Sequence, residues 1–293
     1  MSTPGAGVRR VRVRHFEADS EVRKRDVVAV EEPLEIRLEH GPTPARETVA
    51  LAVTMRTPGH DFELAAGFLK GEGILARRDD LLDITYCLGE EKLEQEYNVV
   101  SVRLAPGVSF DPGRLERNFY TTSSCGVCGK ATLEAVEVRG CAPLPMREGA
   151  LDEAVVRGLP AALREEQKLF ERTGGIHAAG LFTPAGELAV LREDVGRHNA
   201  VDKALGVAFL EPARFRPDPF PGDAVLCVSG RASFEIVQKA LASGVATVVA
   251  VGAPSSLAVE LAARFEMTLV GFARADGFNV YTGIARIRGG AGG

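Results

Sequence analysis

Ala224-Val-Leu-Cys-Val228, Ser229-Gly-Arg-Ala-Ser233, Phe234-Glu-Ile-Val-Gln-Lys-Ala-Leu-Ala242, Ser243-Gly-Val245 and Ala246-Thr-Val-Val-Ala-Val251 follow one another without interruption, and their reading decides the fold. A short apolar run, a loop of small residues, a segment of helical spacing, a glycine turn and a second apolar run spell strand, loop, helix, turn, strand. The pattern extends in both directions. Downstream, Ser255 to Phe265 reads as a helix and Thr268 to Gly271 as a strand; upstream, Arg197 to Phe209 reads as a helix. Strand-like runs at Ile176 to Phe182 and Glu187 to Leu191 flank the turn Thr183-Pro-Ala-Gly186. Such alternation predicts a three-layer α/β unit with a largely parallel sheet over residues 149–293.

The first half has a different period. Residues 27–38 and 46–56 alternate apolar with polar positions, and Val49, Leu51, Val53 and Met55 fall on one face of a strand. Residues 61–70 have helical spacing through Phe62, Leu64, Ala65, Phe68 and Leu69, and two further strands are expected near 82–88 and 97–104. A small α+β unit over residues 1–148 follows, ending in a cysteine loop and a connector marked by Pro143 and Pro145. Beyond it, an amphipathic helix from Leu151 to Phe170 is expected to break or kink at Pro160.

Composition sets bounds on the class of protein. The chain has 293 residues, 45% hydrophobic and 26% charged, enough to bury a substantial core without staples. Five cysteines at irregular spacing do not form a secreted disulfide framework, and with no signal-peptide pattern or bilayer-length apolar run a cytoplasmic location is expected. Net charge is −5 overall, yet the basic stretch Val8-Arg-Arg-Val-Arg-Val-Arg14 suits either an arm for nucleic acid or a strand with arginines in water and valines facing in. Without interleaved aromatics or a basic body the strand is the better reading, and neither a nucleic acid nor a membrane partner is expected.

Chemistry concentrates at two places. In Tyr120-Thr-Thr-Ser-Ser-Cys-Gly-Val-Cys-Gly-Lys130, Cys125 and Cys128 sit three positions apart among serine, threonine and glycine, where a packing role explains little. A zinc half-site, a redox couple and a nucleophilic thiol are the available chemistries. Zinc needs a second ligand pair, and Cys87, Cys141, Cys227 and five scattered histidines supply none. A redox couple is expected after a buried strand, which residues 118–124 are not. A nucleophile needs its thiolate, which Lys130 and a helix beginning near Ala131 would favour.

The second place is the set of strand ends, where open α/β sheets hold their ligands. Residues 193–199, Ser229 to Ser233, 251–256 and Phe272 to Gly277 stand there, and together they point to a polyanionic, nucleotide-bearing ligand. Each also has a plainer reading. Arg231 suits a phosphate or a surface ion pair, and Ser255 and Ser256 suit a ligand or a helix cap. His177 and His198 suit a base or a structural hydrogen bond, and Asp276 suits the N1 and N2 edge of guanine or a turn with Gly277.

Five stretches also carry a resemblance: residues 122–129, Arg172 to Gly180, Glu193 to Lys203, Ser229 to Glu235 and the late segment from Phe272 to Gly283. In this order they resemble the FdhD family, sulfur carriers that mature formate dehydrogenases, over about Pro33 to Gly283. The resemblance implies a sulfurtransferase that accepts persulfide sulfur from a cysteine desulfurase. It implies transfer of that sulfur to the Mo-bis(molybdopterin guanine dinucleotide) cofactor, bound as a substrate, for a formate dehydrogenase catalytic subunit. Cys125 becomes the persulfide cysteine and Cys128 its helper. Phe272, Ala273, Arg274, Ala275, Asp276 and Gly277 become the cofactor-binding segment, joined at the strand ends by Arg197, His198, Ser229 and Arg231. The resemblance also implies a homodimer and, for the second unit, a cytidine-deaminase-like fold with a mixed sheet and no zinc. A cofactor-binding chaperone without catalysis and a dithiol redox protein remain alternatives at this level.

Overall fold

A computed structural model describes residues 7–18, 20–42, 44–87, 97–110, 141–215 and 223–289. The basic stretch forms strand β1 (Val8–Glu17), paired antiparallel with β2 (Ser20–Ala29), and its arginines are exposed while the valines between them are half-buried. The expected strand at 27–38 is divided. The Val30 N–H donates to the Gly7 carbonyl at 3.0 Å, closing the hairpin, and β3 (Glu32–His40) then starts new pairing with β4 (Glu47–Arg56). Both segments share a period of two, so the pattern runs unbroken across the boundary.

A four-stranded sheet of order β4-β3-β6-β5 includes β5 (Leu81–Tyr86) and β6 (Val99–Leu104). Leu34, Ile36 and Leu38 alternate inward beneath helix α1 (Asp61–Gly71), which meets them with Leu64, Ala65 and Leu69. The expected single face of β4 is corrected by a bulge between Ile36 and Arg37, where Ile36 pairs with Ala52 and Arg37 with Ala50. One extra residue swaps the faces of a strand. Leu51 is therefore buried, whereas Val53 and Met55 are 69% and 47% exposed.

In the second half, β7 (Leu151–Asp152) pairs with the late strand β14 (Ile287–Arg288), and Asp152 caps α2 (Glu153–Glu165) by accepting from the Ala154 N–H at 2.9 Å. Pro160 does not break α2, which runs through it; the chain breaks instead at Gln167, before α3 (Lys168–Thr173). Proline removes one helical hydrogen bond, but Val156, Leu159 and Leu163 on either side are fully buried and hold the helix to the sheet.

The main sheet has the order β13-β12-β11-β10-β8-β9, built from β8 (His177–Phe182), β9 (Leu188–Asp194), β10 (Val225–Val228), β11 (Thr247–Ala250), β12 (Thr268–Arg274) and β13 (Gly277–Thr282). Only the central trio β10, β11 and β12 is parallel, and antiparallel hairpins flank it. The sheet is mixed rather than largely parallel, because turns at Thr183 to Gly186 and at 275–276 are too short for a parallel crossover. Helix α2 covers one face; α4 (Arg197–Leu210), α5 (Phe234–Ala242) and α6 (Ser256–Arg264) cover the other.

The two halves meet where α1 crosses α4. A Cβ placed on Gly67 would lie 1.9 Å from the Asp202 carbonyl oxygen, and one on Gly206 would lie 1.9 Å from that of Glu63, so two reciprocal glycines set the approach. Polar pins surround the crossing. Arg192 grips Glu63 through two hydrogen bonds of 2.5 and 2.8 Å. Asn199 donates to the Met55 carbonyl at 2.7 Å and accepts from Thr54 Oγ1 at 3.1 Å. Buried Asp194 binds the Thr57 N–H at 3.1 Å and Lys203 Nζ at 2.6 Å.

Candidate functional site

The loops after the parallel strands are knitted into a crest by backbone hydrogen bonds. Gly252 N–H donates to the Gly230 carbonyl at 2.9 Å, Ser255 N–H to Ala232 at 3.0 Å, and Phe272 N–H to Gly252 at 3.1 Å. Small residues permit this spacing: a Cβ on Gly252 would stand 3.0 to 3.1 Å from Arg231, and one on Gly271 would stand 2.8 Å from Pro254. Phe272 is 42% exposed and left-handed at φ 54, next to the irregular register between Gly271 and Arg274. Non-glycine residues pay about 1–2 kcal/mol for that conformation, a cost that tends to collect at ligand sites.

The segment from Phe272 to Gly277 is a strand end and tight hairpin rather than an open loop. Arg274 pairs with Gly277, leaving Ala275 and Asp276 as the exposed turn. Asp276 presents its carboxylate to solvent, while its backbone carbonyl accepts from Arg157 of α2 at 3.4 Å. Ala273 is fully buried in the layer beneath α2, so it supports the segment from below.

On the other side of β10 the structure brings His177, Arg197, His198 and Ser229 to Ser233 together. Ser229 Oγ accepts from the Ala178 N–H at 2.9 Å, which fixes the side chain between strands. His198 Nε2 lies 3.2 Å from Ser233 Oγ and 3.6 Å from Glu235, and its hydrogen bond holds the Glu235 carboxyl down at about 2. Burial, then the nearby Arg197 charge, pushes the His177 pKa below its ordinary value, which favours a neutral ring. Arg197, first residue of α4, has a buried Nε with no hydrogen-bond partner among the described residues. Ser255 caps α6, accepting from the Ala258 N–H at 3.3 Å.

Residues 193–199 contribute less to the crest than their composition suggests. Asp194 and Asn199 pin the first half, and the Glu193 carboxylate accepts from the Leu169 and Phe170 N–H groups at 2.9 and 2.8 Å, fixing the start of α3. Only Arg197 and His198 of that stretch reach the group around Ser233. Cys125 and Cys128 lie outside the described residues. Among the described residues no cluster of three or more His, Cys, Asp or Glu is arranged to hold a metal ion, and no helix is long and apolar enough to cross a membrane.

Beside the crest a cleft of about 700 Å³ runs between α2, α3 and the strand ends, with His177, Ser229 and Val251 on its inner side. Gln167, Arg164, Phe170 and Gly175 line its outer side. From sequence, Gly175 stands out only as part of the stretch Arg172 to Gly180, and the other three carry no site role. A glutamine and an arginine on an amphipathic helix have no signature before the helix is seen to bend at Gln167.

A family model described as the FdhD/NarQ family matches residues 29–288. A Streptomyces coelicolor protein named Sulfur carrier protein FdhD is 52% identical over 267 residues, covering 89% of each chain. A Mycobacterium tuberculosis protein of the same name is 49% identical over 282 residues, covering 94% of this chain and 97% of that one. A crystal structure from Desulfotalea psychrophila, described as a formate dehydrogenase accessory protein, superposes with a TM-score of 0.71 at 24% identity, over 96% of this chain and 99% of the other. At that identity the superposition speaks for the fold alone.

Proposed function

We propose, from the premise that this chain belongs to the FdhD/NarQ family, that it is a sulfurtransferase that carries sulfur from a cysteine desulfurase to the Mo-bis(molybdopterin guanine dinucleotide) cofactor of a formate dehydrogenase. The observation that carries this reading is the name Sulfur carrier protein FdhD on relatives about half identical over nearly the whole chain. Cys125 is the acceptor. Its thiolate attacks the outer sulfur of the desulfurase persulfide; a new sulfur–sulfur bond forms on Cys125 as the old one breaks, and the desulfurase thiolate leaves. Cys128 stands close enough in sequence to assist release of that sulfur.

The crest is the site proposed for the guanine nucleotide part of the substrate. Asp276 offers two carboxylate oxygens to the donor edge of guanine, Arg231 and Arg274 answer the phosphates, and Phe272 offers an exposed ring in a strained, fixed position. Arg197 adds a cation and His198 a ring nitrogen at the strand ends. The layering around a mixed sheet supports a cytidine-deaminase-like unit over 149–293 behind an α+β unit over 1–148. A cytoplasmic homodimer fits the family.

Binding and sulfur delivery are separable in this scheme, and calorimetry with GDP tests it. Cys125→Ala is expected to bind GDP as wild type does and to fail in activating formate dehydrogenase. Asp276→Ala is expected to load persulfide and bind GDP weakly, each lost hydrogen bond costing about 0.5–1.5 kcal/mol or more for a charged acceptor. Loss of GDP binding in a folded Cys125→Ala protein would remove the division between carrier loop and crest.

A further inference from the structure

We propose that the cleft beside α3 is a binding site for a planar nitrogen heterocycle bearing a ring carbonyl, as in guanine and pterin. Four observations carry the inference. Its volume, about 700 Å³, falls within the range of small-molecule sites. Gln167 is 4% exposed and lines the cleft, yet its amide nitrogen has no hydrogen-bond partner among the described residues. Buried donors are almost always satisfied, so an orphan at the wall of a cavity marks where a ligand acceptor belongs. The donor is neutral and amide-like, which matches a carbonyl oxygen or ring nitrogen better than it matches a phosphate.

The Arg164 guanidinium lies over the Phe170 ring at 4.3 Å from its centroid, and arginine and aromatic groups are the surfaces on which proteins lay heterocyclic bases. Pro160, Leu163 and Ile176 supply apolar edges to the same space. Gly175 leaves the rim open for reasons its own surroundings do not supply: it is not left-handed, and a Cβ there would meet nothing closer than the Thr173 carbonyl at 3.8 Å. Among the described residues no Asp or Glu lines the cleft, and His177 at its inner end adds one ring donor and one acceptor.

Ser229 and Val251 line the cleft and also begin the crest loops, so a ligand seated on Gln167 can extend its phosphates towards the strand ends. The inference thus deepens the proposed function and rests on it for the choice of ligand, because that substrate carries both heterocycles. The full chain is titrated with pterin, followed by its fluorescence, and with guanosine and GDP by calorimetry. Wild type, Gln167→Leu, Gly175→Leu and Asp276→Ala are compared. At least one of pterin and guanosine is expected to bind wild type, three- to tenfold more weakly to Gln167→Leu, the loss of one hydrogen bond. Binding is expected to vanish in Gly175→Leu, whose side chain enters the cleft. Whichever ligand responds identifies the guanine or the pterin part as the occupant. Gln167→Leu should melt no lower than wild type, since the buried amide nitrogen it removes has no hydrogen-bond partner among the described residues. If neither heterocycle binds, or both bind Gln167→Leu as they bind wild type, the inference falls. If GDP binding is then still lost in Asp276→Ala, the proposed function survives without it.

Discussion

Replacing Gly67 by alanine adds one methyl group at the tightest point of the molecule. That methyl would sit 1.9 Å from the Asp202 carbonyl oxygen and 2.6 Å from its carbon, both backbone atoms that cannot rotate away. Real contacts stop near 3.0 Å, so α1 and α4 must part by more than an ångström. Overpacking costs about 1–3 kcal/mol, and separation also stretches the Arg192–Glu63 and Asn199–Met55 bonds around the crossing. We expect the upper end of that range, less the ~1 kcal/mol that alanine gains over glycine inside a helix. The net loss of about 2 kcal/mol corresponds to a melting temperature lower by roughly 4–8 °C. Gly158, inside α2, is the control, because a Cβ there meets nothing within 4 Å. Gly158→Ala should therefore stabilise by about 0.5–1 kcal/mol. Differential scanning calorimetry on the two variants separates propensity from crowding. If Gly67→Ala melted at or above wild type, glycine would not set the crossing and the junction of the halves would have to be redrawn.

Two further expectations concern ionisation. Burial pushes the Glu63 carboxyl up, but hydrogen bonds from Arg192 and His60 prevail and hold it at about 2, against 4.5 for the free group. A depressed carboxylate contributes stability above pH 4.5 that is lost as pH falls towards 2, at most about 3 kcal/mol here. The stability gap between wild type and Glu63→Gln in urea titrations should thus be wide at pH 7 and close on acidification; a gap independent of pH would refute the assignment. Cys227, fully buried on β10, has its thiol pushed up to about 12 by burial. Native protein treated with iodoacetamide at neutral pH should be alkylated at exposed Cys87 before Cys227, and equal rates would contradict the packing of that strand.

Much of the fold was legible because hydrophobic period carries it. The helix at 234–242 coincides with its sequence reading, and those at 197–210 and 256–264 differ only at their ends. The errors have local physical causes. A bulge at Leu51 moved Val53 and Met55 to the surface, and no single-strand pattern reveals a bulge in a pair. Strand β13 went unread although Phe278 and Val280 alternate with exposed Asn279 and Tyr281, because the alternation is only six residues long and sits between Gly277 and Gly283 at the edge of the sheet. At the site, sequence drew attention to polar residues in loops, and a polar residue looks the same whether it binds a ligand or a neighbour. Asp194 and Asn199 turned out to be interior partners of Thr57 and Met55. Ser255 turned out to be a helix cap, whereas Arg197, His198 and Arg231 stand at the strand ends.

The central claim is that sulfur is carried on Cys125. Trypsin releases both thiols of the loop in one peptide, Asn118 to Lys130, whose mass reports directly on the cargo. The protein is incubated with a cysteine desulfurase and cysteine, alkylated without reductant and digested. The account predicts one added sulfur atom on Cys125 in wild type, removable by dithiothreitol, and none on that peptide in Cys125→Ala. An unmodified wild-type peptide, or the same added sulfur in Cys125→Ala, would contradict it.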